Sequence, residues 1–130
     1  PYHSVCTTST HDMTPLRNWW KEDPEKTQRY YNHVLQRIGE APDECTAEIV
    51  AQIISNHLKT RSMLTIIPLQ DWFAMDDSIK RKDIESERIN VPANSTHYWR
   101  YRMHITLEQL LQADNLNNKI VSLIKEAGRK

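Results

Sequence analysis

His11 and Asp12 follow directly on a short β-branched run, Val5 to Thr10, and that placement gives the pair its chemical interest. In a parallel α/β protein, residues at the carboxy-terminal end of a strand face the common mouth of the sheet, where catalytic groups collect. An aspartate there can accept two hydrogen bonds from neighbouring sugar hydroxyls, and an adjacent histidine can donate or accept another. Both contacts strengthen as positive charge grows at an anomeric carbon. Locally the dipeptide is ordinary, because an aspartate shortly before a helix more often serves as an N-cap. Asp71, just past a second apolar run, admits a similar pair of readings: a substrate-binding group that supports the site, or a cap at the end of a strand.

Other side chains carry weaker signals. Trp19, Trp20, Tyr30, Tyr31, Trp72 and Trp99 offer flat apolar faces that suit a sugar ring, but packing in the core is the commoner role for each. Lys80, Arg81 and Lys82, with Trp99 to Arg102, have the look of a basic and aromatic nucleic-acid surface. Acids at Asp76, Asp77, Asp83, Glu85 and Glu87 neutralise the first cluster, so a solvated loop is expected there and no nucleic-acid partner. The six histidines lack zinc spacing, and His57 on an apolar helix face reads as a packing residue. Neither a metal nor a cofactor is expected.

Positioning these groups requires a framework of strands and helices. The run from Val5 to Thr10 predicts a first strand over 5–10, and Met63 to Pro68, continuously apolar and β-branched, predicts a second over 63–68, covered on both faces. Between them, Thr14 and Pro15 open a helix over 15–21. Asp23 and Pro24 open another over 24–38 that stops at Gly39, and Thr46 caps a third over 47–59. Two parallel strands joined by a helical crossover make a β-α-β unit. Residues 69–75 read as a loop with a helical turn, and 76–88 as the least ordered stretch. Thr106 to Gln109 spells a capping box opening a helix over 107–113 with Leu107, Leu110 and Leu111 inward, and Asp114 opens a last one over 115–127.

Bulk properties narrow the class. A content of 38% hydrophobic and 26% charged residues over 130 positions fits one soluble domain, and seventeen acids balance seventeen bases, which points away from anionic partners. No apolar run approaches the roughly 20 residues needed to cross a bilayer. Cys6 and Cys45, far apart in sequence, suit reduced thiols, so a cytoplasmic setting is expected. Two parallel strands alone would leave unpaired backbone at their edges, and the chain opens on Pro1, not methionine. Residues 1–130 are therefore expected to be a single piece of a larger protein. The fold class is α/β, the carboxy-terminal portion of a (β/α)8 barrel with two parallel strands and a mostly helical remainder, although the end of a doubly wound sheet would show the same pattern.

Four ordered blocks go further than pattern. Ser4 to Trp20 resembles a signature region of the 4-alpha-glucanotransferases, the amylomaltases or disproportionating enzymes of the α-amylase clan. Met63 to Trp72 resembles that family's last barrel strand, Glu87 to Pro92 its Arg-x-Asn-x-Pro loop, and Tyr98 to Arg102 its Trp-x-x-Arg element. The wording is most similar to the longer members, such as the plant cytosolic enzyme and related bacterial ones. The resemblance implies a retaining transglycosylase acting on α-1,4-glucans and maltooligosaccharides. It assigns His11 and Asp12 to the sugar at the cleavage point, the aspartate stabilising the oxocarbenium-like transition state, and Asn90 to a glucan contact. No block here matches the family's nucleophile or acid/base, so the isolated chain is expected to be inactive and prone to oligomerise through bare strand edges. Two alternatives stay open: a free-standing helical interaction module in which both strands are merely extended loops, and a fragment of another glycosidase of the same clan.

Overall fold

The computed structural model describes residues 1–129. Two short strands, β1 (Val5–Thr7) and β2 (Leu64–Ile66), pair in parallel with Val5 opposite Leu64, Cys6 opposite Thr65 and Thr7 opposite Ile66. That pairing removes the basis for a purely helical module. The crossover carries α1 (Leu16–Glu22), α2 (Pro24–His33) and α3 (Ala47–Leu58). After β2 come a short α4 (Leu69–Phe73), a 3-10 turn at Glu85–Glu87, α5 (Leu107–Leu111) and α6 (Asp114–Glu126). No described helix is long and apolar enough to cross a membrane.

Helix α3 is the centre of the core. Thr46 caps it through its side chain on the Ile49 amide, and the spacing that follows puts Ile49, Val50, Ile53, Ile54 and Leu58 on one buried face. Trp20 and Leu16 of α1, Phe73 to Met75 around the end of α4, and Leu116 of α6 complete the cluster. Arg129 closes the back. Its guanidinium donates to the carbonyls of Thr60 and Ser62 at 2.9 Å each and to that of Leu58 at 2.5 Å, tying the segment after α6 to the exit of α3 and the entry of β2.

Several elements differ from the sequence reading for identifiable reasons. The strands are three residues long, and Val5, Leu64 and Ile66 are about half exposed, so one face of the pair is open instead of covered. Helix α2 stops at His33, not near Gly39, because the chain must swing inward to bury Leu35. Gln36 takes a left-handed φ of 55° to make that turn, and the side chains of Asn32 and Gln28 donate to the carbonyl of Gly39. Ile38 is left almost fully exposed. The capping box at Thr106 forms with both of its bonds, yet Leu107 and Leu111 face outward and only Leu110 packs on the core. The charged stretch 76–88 is not uniformly solvated either, because Glu87 lies buried within it.

Candidate active site

Strand β1 ends at Thr7, whose hydroxyl donates to the carbonyl of Ser9, and the chain then folds into a turn in which the Met13 amide donates to Thr10. His11 and Asp12 stand at the tip of this turn. Neither belongs to a helix, because the capping position of α1 is Pro15. The carboxylate that satisfies the first amide of α1 is Asp71, which accepts from the Leu16 amide at 2.9 Å. Asp12 is thereby free of the structural duty that an aspartate in its place most often performs.

Asp12 makes a different bond. Its Oδ1 accepts from Asn90 Nδ2 at 2.6 Å, and its Oδ2 lies 3.4 Å from His11 Nε2. Asn90 is held from a second side, its backbone amide donating to the carbonyl of His11 at 3.1 Å, while Arg88 Nε donates to the carbonyl of Asn90 at 3.0 Å. Both His11 and Asp12 keep about half of their side-chain surface open. The indole of Trp99 sits 4.8 Å from the imidazole of His11, tilted by 48°, and is itself 61% exposed. Thus His11, Asp12, Asn90 and Trp99 converge at the carboxy-terminal end of β1, the end at which parallel sheets carry their ligand sites.

Two cavities flank this cluster. One of about 330 Å³ runs over the open face of the strands and is lined by Val5, Ser9, Thr10, His11, Ile66 and Pro68. The other, about 180 Å³, lies beyond Met13 and is walled by Trp19, Tyr30 and His57. A larger cavity, about 610 Å³, opens beside Tyr2, Arg61 and Arg129 at the opposite end of the strands and holds none of these polar groups. Position relative to the strands, not volume, decides which opening matters.

Asp71 requires a correction. It is 1% exposed, and besides the Leu16 amide it accepts a hydrogen bond from the Thr8 hydroxyl at 2.5 Å, so both carboxylate oxygens are engaged inside the protein. Burial pushes its carboxyl above the usual range, while Thr8 and the Leu16 amide pull it back. It cannot touch a ligand in this arrangement; it pins α1 and the end of β1 to α4. Trp99 is the reverse case, a residue that the sequence reading placed in the core. No periodicity surrounds it, and its place within the Tyr98 to Arg102 block was the one signal that set it apart. Glu87, read from sequence as one acid of a solvated loop, and Arg17, not singled out, are both buried behind the Asn90 loop. Their burial arises from contacts between α1 and a distant loop that no local pattern encodes.

A parallel β-α-β unit with a mostly helical remainder and a polar cluster at its strand ends defines the class, that of α/β proteins. Residues 1–108 match the protein family described as 4-alpha-glucanotransferase. The chain belongs to that family. It is 39% identical over 128 residues to the 4-alpha-glucanotransferase DPE2 of Oryza sativa subsp. japonica, covering 98% of this chain and 14% of the rice protein. The 4-alpha-glucanotransferase of Chlamydia trachomatis is 31% identical over 92% of this chain, which spans 22% of the bacterial protein. Among solved structures, the amylomaltase of Streptococcus agalactiae in complex with acarbose superposes with a TM-score of 0.70 at 18% identity, over 97% of this chain and 22% of that one. The chain therefore spans less than a quarter of the length of these relatives.

Proposed function

We propose that this chain is the carboxy-terminal part of the catalytic (β/α)8 barrel of a retaining 4-alpha-glucanotransferase, moving α-1,4-glucan segments between maltooligosaccharides. The observation that carries the reading is the carboxylate of Asp12, free of any capping role and held by Asn90 at the strand end. Held this way, Asp12 keeps lone pairs for the adjacent hydroxyls of a glucose ring. Its fixed negative charge costs no reorganisation at the moment when positive charge appears at the anomeric carbon. His11, with its ring beside the carboxylate, contributes a further hydrogen bond to the same sugar. Asn90 serves twice, orienting Asp12 and offering its amide to the glucan. In the complete protein, residues outside this chain would supply the nucleophile and the acid/base of the double displacement, and the 4-hydroxyl of a second glucan would replace water in its second step. The open face of β1 and β2, with Val5, Leu64 and Ile66 bare, supports the same reading, since barrel strands need further strands and a packed interior around them.

The test uses the full-length protein and maltotriose. Disproportionation to glucose and longer maltooligosaccharides is expected, and Asp12→Asn should lower turnover by about a hundredfold or more while circular dichroism and the melting temperature stay unchanged. Turnover of the variant near that of the parent would remove Asp12 from the chemistry. Glucose release without longer products would instead mark a hydrolase of the same clan.

A further inference from the structure

Behind the Asn90 loop lies a buried carboxyl with no role in the chemistry above. Glu87 closes the 3-10 turn and is 2% exposed. Its Oε2 stands 3.5 Å from Arg17 Nη1 and accepts no hydrogen bond, while Arg17 Nη1 donates instead to the carbonyl of Arg81 at 2.7 Å. The neighbouring Asn18 carries a second buried oxygen without a partner. Buried polar atoms in native proteins are nearly always satisfied, so two orphans beside one ion pair mark a place where local stability has been given up. What lies next to that place is the loop bearing Asn90. The backbone carbonyl of Glu87 accepts from Gln70 Nε2 of α4 at 3.1 Å, its side chain faces α1, and three residues later Asn90 meets Asp12. Between these two anchors the chain has no regular structure.

We propose that Glu87 is a positioning residue, seating Asn90 against Asp12 by inserting its carboxyl opposite Arg17 of α1 while Gln70 of α4 holds its carbonyl. The inference rests on the sugar-handling role proposed for Asp12 and Asn90, but it makes a structural claim that can be read without activity. Charge supports it. Burial raises the Glu87 carboxyl from its ordinary 4.5 to about 7; Arg17 of α1 and Arg81 favour its ionised form, whereas Asp71 of α4 and Asp83 oppose it. When the loop opens, the carboxyl returns to water and ionises near its ordinary value. The seated loop therefore binds the proton more tightly than the open one, and its advantage shrinks as pH climbs from about 4.5 to about 7, levelling off above.

Hydrogen exchange on the full-length protein tests the claim directly. In Glu87→Ala at about pH 5, where the buried carboxyl keeps its proton, exchange across 88–92 should accelerate roughly tenfold, while 47–58 stays as protected as in the parent. Transfer to maltotriose should fall by a similar factor in kcat/KM. In an Asn90→Ala background the same substitution should cost no more than about twofold, because the residue it acts through is already gone. Glu87→Gln, close to the parent in volume, provides the second variant. It should abolish the pH dependence of exchange across 88–92 that remains after correction for intrinsic base catalysis. Unchanged exchange in 88–92, or a full-sized loss in kcat/KM in the Asn90→Ala background, overturns the proposal. A parent protein without transfer activity would instead sink the functional reading and leave the exchange result to decide this one.

Discussion

Asp12 and Asp71 carry the same carboxylate and differ in what surrounds it. One stands half open on a turn beside an amide and an imidazole; the other is sealed between a hydroxyl and the first amide of α1. From sequence the two admitted parallel readings, because an aspartate after a strand can cap or catalyse and nothing nearby says which. Removing Asp71 should act on stability. Asp71→Ala leaves the Leu16 amide and the Thr8 hydroxyl without a buried partner, and the full-length protein should lose about 2–4 kcal/mol against urea, with KM for maltotriose unchanged. A loss under about 0.5 kcal/mol would mean that water replaces the carboxylate there. Cys45 illustrates the same dependence on surroundings: burial pushes its thiol up to about 12, so it should resist alkylation in the folded protein at pH 8, where thiol titration with and without denaturant would reveal it.

Among the elements, α3 was legible to within a residue of its end because two signals agree: a threonine cap and an apolar face at helical spacing. Thr46→Ala should accordingly cost about 1 kcal/mol, measured by chemical denaturation, since it strips one amide of its acceptor at the head of the core helix. Where signals conflicted, tertiary demands won. The apolar spacing of α2 continues past His33, but burying Leu35 required a left-handed residue at Gln36, and Gly39 became part of a turn instead of a helix stop. The loop from 76 to 92 was the least legible segment. Its charge pattern resembles solvated chain, and only the arrival of α1 with Arg17 turns Glu87 into a buried residue. The meeting of Asn90 with Asp12 is likewise a product of the fold, because the two residues are separated by 78 positions.

At the scale of the whole molecule, the bare side of β1 and β2 sets the behaviour of this chain when it is alone. Val5 and Ile66 are 57% and 58% exposed on adjacent strands, and among the described residues each strand has an unpaired edge, which is a template for association with other strands. Size-exclusion chromatography of the isolated chain should show oligomers or aggregates that the full-length protein does not form, and no disproportionation of maltotriose. A clean monomer with a single cooperative melt would show that the strand pair tolerates solvent and would weaken the case for a barrel around it. The guanidinium of Arg129 bears on how such a chain matures. It gathers carbonyls from Leu58, Thr60 and Ser62, so the turn that launches β2 draws part of its hydrogen bonding from a residue some seventy positions downstream. On a ribosome the strand would thus wait, half-specified, through the making of the entire second half, and Arg129→Ala should prolong that wait as slower recovery of native fluorescence after dilution from urea.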